Sequence, residues 1–180
     1  MVYILLGNGF EEMEAIAPLD ILRRGGVEVL TVGVNGKVVY GGHGIGVEAD
    51  ILLEELDLTA MDMIVLPGGL GGVASVRASS PAMEALRFGW ENGKFVAAIC
   101  AGPTVLADLG ITDGKDATCY PGCETGMGSA NMIPGAPWVR DGNLITGTSA
   151  GCAIPFGLAL LAALKGEEAA EDVAAKLVIR

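Results

Sequence analysis

Short, unbroken apolar runs alternate along this chain with stretches of helical periodicity, and that alternation limits the possible folds more than any other feature. The runs are "VYILL" (2–6), "VEVLTVGV" (27–34), "DMIVL" (62–66), "KFVAAI" (94–99) and "NLITG" (143–147). Each is too short to be a helix, and most stop at Gly, Asn or Pro, as buried strands do. Strands that are apolar on both sides and separated by helices predict a mostly parallel sheet with helices on both faces. A length of 180 residues predicts one domain over 1–180 with a sizeable core.

The helical segments carry their own signals. From Glu11 to Arg24, Met13, Ile16, Ala17, Leu19 or Ile21, and Leu22 recur at helical spacing. Acids lead this segment, Arg23 and Arg24 close it, and Gly25-Gly26 stops it. Pro18 within it predicts a kink or a helix in two pieces. Asn35-Gly36 predicts the turn of a hairpin in the Gly-rich stretch 35–53. Ser80 as N-cap and Pro81 at the first position predict a helix to about Asn92. Further helices are expected over roughly 101–109, from Ser149 (as N-cap) to about 166, and over 167–176. Residues 111–143 read as loops with short strands near 116–119 and 137–139.

In parallel sheets ligands bind at the carboxyl ends of the strands. Three loops there carry unusual residues: 7–14, 67–72 and 100–103. The third is "AAICAGPTVLADLG" (97–110), where a strand becomes a helix at Cys100. A nucleophile between small residues at such a corner is a nucleophile elbow, and Ala98 and Gly102 fill the small positions. The helix that follows predicts a depressed thiol pKa. The alternative is a buried cysteine acting as a small apolar group. In "GFEEMEAIAP", Glu11 and Glu12 read as favouring the helix N-terminus. Glu14, one turn in, either faces the thiol or does not, according to the rotation of the helix. "LPGG" offers the N–H groups of Gly68 and Gly69, which with that of Ala101 could hold an oxyanion.

Charge narrows the partners. Eleven basic residues against 22 acidic ones give a net charge of −11. That argues against nucleic acid and against anionic membranes. "AIPFGLALLAALKG" is too short to span a bilayer, and "MVYILLGNGFEEME" lacks a basic leader, so a cytoplasmic protein is expected. Cys119 and Cys123 are spaced C-x3-C without a nearby histidine, so no metal is expected there, and no cofactor elsewhere.

Together, "EEMEAIAPLDILRRGG", "DMIVLPGG" and "AAICAGP" resemble the ThiJ/PfpI superfamily, in particular the branch containing the Parkinsonism-associated deglycase. The resemblance runs over essentially the whole chain. It implies a flavodoxin-like three-layer sandwich and commonly a homodimer. It places the family's reactive thiol on Cys100, its protonated carboxyl on Glu14, and its backbone donors on Gly69 and Ala101. Activities implied are glutathione-independent conversion of methylglyoxal to lactate (glyoxalase III), deglycation, and oxidative-stress sensing through the thiol. Other branches are peptidases or amidases, for which no triad partner is visible here. Relatives with a Cys–His pair carry His before a Pro in the loop after residue 117. Here "ATCYPGCE" puts Tyr120 there, a poor base near neutrality. The sole histidine, His43, lies in the Gly-rich hairpin and reads either as a surface residue or as a group reaching the site across a dimer interface. Arg24 either caps its own helix or sits near a partner's pocket. Cys119 is either a plain loop thiol or a resolving partner for oxidised Cys100.

Overall fold

The computed structural model describes residues 1–179. Chain order is β1 (Val2–Leu6), α1 (Glu12–Arg24), β2 (Val29–Gly33), β3 (Val38–Tyr40), β4 (Gly46–Glu48), β5 (Ile51–Leu52), β6 (Met63–Leu66), α2 (Leu70–Ala78), α3 (Ser80–Glu91) and β7 (Phe95–Ile99). It continues with α4 (Pro103–Asp108), β8 (Asp116–Ala117), β9 (Asn131–Met132), β10 (Trp138–Asp141), β11 (Leu144–Gly147), α5 (Ala153–Lys165) and α6 (Glu167–Lys176).

The central sheet has the order β10-β11-β7-β6-β1-β2-β5. All its pairings are parallel except β10 with β11. Alternation along each strand feeds two cores. Val2, Ile4, Leu6, Val65, Ile99 and Ile145 face the side covered by α1, α5 and α6. Tyr3, Leu5, Ile64, Leu66, Val96 and Leu144 face the side covered by α2, α3 and α4. This is the mostly parallel, flavodoxin-like α/β sandwich expected. The strand order reverses at β1, between β2 and β6, and opens a crevice at the carboxyl ends of these strands.

Several local expectations are corrected. α1 runs unbroken through Pro18. Its packing holds it there: a Cβ on Gly157 of α5 would stand 3.0 Å from the Cα of Pro18. The inward face of α1 is also different. Met13 and Ile16 are exposed, while Glu12 and Glu14 are buried with Ala15, Pro18, Ile21 and Leu22. The acids can face inward because each accepts hydrogen bonds there. Asn35-Gly36 is not a hairpin turn. It links β2 to β3, and the β3–β4 hairpin turns at residues 41–45, where Gly41 N–H donates to Ile45 O at 2.9 Å. α2 occupies a stretch read as a Gly-rich turn, and Ser79 rather than Ser80 caps α3. Ser149 stands at the N-cap of a 3-10 turn, Ala150–Cys152, that leads into α5, but makes no side-chain capping bond; its hydroxyl lies 3.9 Å from Cys152 Sγ.

Candidate active site

Cys100 sits where β7 gives way to α4, with φ at 66°. For a non-glycine residue this left-handed conformation costs about 1 kcal/mol or more, so the surroundings must enforce it. They do so from both sides. The Cys100 N–H donates to Gly147 O at 2.9 Å, and its carbonyl accepts from Tyr120 N–H at 2.8 Å. The corner is tight as well: a Cβ on Gly102 would lie 2.8 Å from Leu66 O and 2.9 Å from Ile99 O. The strained cysteine and the small residues around it are the geometry of a nucleophile elbow.

The next residue is braced by groups that sequence reading missed. The buried Thr104 hydroxyl donates to Ala101 O at 2.6 Å. Thr104 Oγ1 in turn accepts from Arg77 Nη2 of α2 at 2.8 Å, and Arg77 Nε holds Asp108 Oδ2 at 2.5 Å. The arginine thus clamps α2 to α4 and, through Thr104, holds the carbonyl of Ala101, the residue whose own N–H faces the sulfur. Its partners lie 27 and 31 positions away in the chain, so no local pattern announces them.

Glu14 reaches the elbow from α1. Its side chain is fully buried, and Oε2 accepts from Gly68 N–H at 2.8 Å. Oε1 is buried and has no hydrogen-bond partner among the described residues. The fit is close: a Cβ on Gly68 would stand 2.5 Å from Glu14 Oε2 and 2.7 Å from Cys100 Cβ. Burial pushes Glu14 up to about 7, and the charge of Glu11 adds to this, while hydrogen bonds from Cys100 and Gly68 oppose it. Burial, then the Glu14 carboxylate, push the Cys100 thiol up to about 12, although the Ala101 and Gly69 N–H groups favour its anion.

The expected depressed thiol is therefore corrected. α4 has only six residues and starts at a proline with no N–H to offer, so its dipole is outweighed. What the structure holds is an acid–thiol pair. Across neutrality the carboxyl gives up its proton first, and the thiol, pushed higher, keeps its own. The unpartnered Oε1 favours the acid form of Glu14, because a buried carboxylate oxygen without a donor is costly. Gly69, with φ at 85°, completes the floor, since a Cβ there would lie 2.4 Å from Gly9 O.

Within this chain the other candidates stand apart from the thiol. His43 is 74% exposed and its Nδ1 lies 2.8 Å from Glu12 Oε2. Glu12, 6% exposed, also accepts from His43 N–H at 2.8 Å, so it latches the β3–β4 hairpin to α1 rather than simply favouring the helix start. This contact raises the pKa of His43. Glu11, Glu12 and His43 bring possible metal-ligand atoms within 4.8 Å of one another. These atoms are already engaged, Glu11 Oε2 by Glu14 N–H and both Glu12 oxygens by the hairpin. Arg24 pairs with Asp20 at 2.6 Å, at the end of α1 away from Glu14 and about 15 Å along the helix. The Tyr120 side chain is exposed, and only its backbone N–H meets Cys100. Cys119 lies in a loop and is buried, and burial leads in pushing its thiol up to about 11.

The family model described as the DJ-1/PfpI family matches residues 1–163. Protein dj-1beta of Drosophila melanogaster is 37% identical over 98% of this chain and 95% of its own length. Its crystal structure superposes with a TM-score of 0.94 at 36% identity, covering 99% of this chain and 97% of that one. A protein of Pyrococcus abyssi named as a deglycase is 36% identical over 81% of this chain and 87% of its own. A Toxoplasma gondii DJ-1 structure described as oxidized is 32% identical, with a TM-score of 0.91, over 98% of this chain and 97% of that one.

Proposed function

This chain belongs to the DJ-1/PfpI family, and on that premise we propose that it is a cysteine-dependent glyoxalase III or deglycase acting on small 2-oxoaldehydes such as methylglyoxal. The observation that carries the proposal is the pairing of a buried carboxyl with a strained thiol at the crevice. A deglycase-named relative at 36% identity supports the choice of carbonyl chemistry.

The reaction uses the residues as follows. The Cys100 sulfur adds to the aldehyde carbon and forms a hemithioacetal, whose oxyanion accepts from the Gly69 and Ala101 N–H groups. Glu14 takes the proton from that carbon and returns it to the neighbouring one, passing through an enediol. The resulting thioester of the 2-hydroxy acid is hydrolysed by water, which frees the acid and restores the thiol. A carboxyl near 7 suits both directions of transfer. Glu14 is the base in this scheme, since His43 faces Glu12 and the Tyr120 ring is exposed. Cytoplasm is the setting this chemistry needs, because thiols stay reduced there. A homodimer is the proposed assembly: Met13, Ile16, Ile45 and Ile154 line one exposed apolar depression beside Glu12.

A second reading has its own support. The base of the Cys–His relatives is replaced by Tyr120, and a relative has been seen oxidized. In that reading Cys100 is a stress sensor whose sulfinate is held by protonated Glu14. Methylglyoxal consumption by the purified protein separates the two. Many equivalents of lactate per chain, lost in Cys100→Ser, support the enzyme. Consumption ending at one equivalent per thiol supports the sensor.

A further inference from the structure

A pair of thiols distinct from Cys100 lies at one tight turn. Cys119 and Cys123 flank Tyr120-Pro121-Gly122. Proline sets the first central position, and Gly122 adopts φ 97° at the second, which is the pattern of a type II turn. Cys123 N–H closes it on Tyr120 O at 2.9 Å. The Cys119 thiol donates to that same carbonyl at 3.5 Å. One donor from each cysteine therefore converges on one oxygen, which places the Cys119 sulfur beside the backbone of Cys123. Both side chains also belong to one small apolar cluster with Ala117 and Met127. Cys119 is buried and Cys123 half-buried, so Cys123 is the more accessible of the two to dissolved reagents. The charged groups acting on Cys119 are Glu124 and Cys123.

We propose that Cys119 and Cys123 are a dithiol switch that closes to a disulfide under hydroperoxide, independently of Cys100. The Cys123 thiolate attacks the peroxide, the O–O bond breaks, and hydroxide leaves to become water, giving a sulfenic acid. The Cys119 sulfur attacks that sulfenic sulfur and the S–O bond breaks. A second water leaves with the Cys119 proton as the S–S bond forms. Two thiols are oxidised and one peroxide is reduced to two waters. The turn that brings the two cysteines together also contains Tyr120, whose N–H holds the Cys100 carbonyl. A closed ring would therefore stiffen the loop that braces the elbow.

Peptide mapping of the full-length protein tests this. The protein is treated with hydrogen peroxide, blocked with N-ethylmaleimide and digested with trypsin. Cleavage after Lys94, Lys115, Arg140 and Lys165 leaves Cys100 in 95–115, Cys119 and Cys123 in 116–140, and Cys152 in 141–165. The expected result is peptide 116–140 unlabelled and lighter by two hydrogens, with both labels regained when dithiothreitol precedes blocking. The same product is expected in Cys100→Ser, whether or not Cys100 proves catalytic. A cross-link joining 95–115 to 116–140 would overturn the proposal, as that is Cys119 resolving Cys100. So would two labels kept on 116–140 while Cys100 gains oxygen, or an internal disulfide that fails to form in Cys100→Ser.

Discussion

Glu14 is an acid placed where an ionised acid is poorly served. Its folded pKa is about 7 against an ordinary 4.5, so the folded state binds its proton more tightly than the unfolded chain does. The stability this contributes is fully present below about pH 4.5 and is lost as pH rises through about 7. Glu14→Gln cannot ionise. Its stability relative to wild type should rise by roughly 2–3 kcal/mol between about pH 4.5 and pH 8, measured by denaturant unfolding. An unchanged difference across that window would mean that Glu14 is not held as an acid. At this scale Cys100 was legible because its requirements are local: small residues at 98 and 102 and a strand running into a helix. Glu12 was not, because its partner His43 lies 31 residues away on another element. The thiol's own pKa was misjudged because burial leads in raising it and its acidic neighbour Glu14 comes from a distant element, α1.

At the scale of elements, the site is a junction of three strand ends held by clamps between helices. α2 escaped sequence reading because Gly-rich residues 68–72 have weak helix propensity, and tertiary contacts supply the order instead. Its Arg77 then becomes the outer link of a chain through Thr104 to Ala101. Thr104→Val keeps the volume but removes the hydroxyl. It should cost about 1–2 kcal/mol of stability, from the lost bonds and the unpaired arginine. Alkylation of Cys100 should slow several-fold, and Thr104→Ser should restore the rate. A rate unchanged in Thr104→Val would show that the clamp does not govern the elbow. Pro18 illustrates the opposite error, a local rule overridden by close packing of α1 on α5.

For the whole molecule, the alternation of apolar strands and helices was enough to foretell a sandwich, since both faces of every central strand are buried. Met13 and Ile16 share the helical spacing of the apolar residues of α1 and yet are exposed, as an apolar stripe fits an interface as well as an interior. If that stripe joins two copies, Ile16→Asp should shift the protein from dimer to monomer in sedimentation velocity while leaving its circular dichroism unchanged. A wild-type protein that sediments as a monomer at every concentration would remove the dimer from the account.

On the proposed mechanism Glu14 and Cys100 act as one coupled acid–thiol pair, in which the charge state of the acid sets the reactivity of the thiol. The most direct test is the rate of Cys100 alkylation by iodoacetamide across the neutral range, in wild type and in Glu14→Gln. The pair predicts a step in the wild-type rate near pH 7, where the first proton leaves, and no such step in the variant. Superimposable profiles, with both rates rising only as an isolated thiol's would, would contradict it.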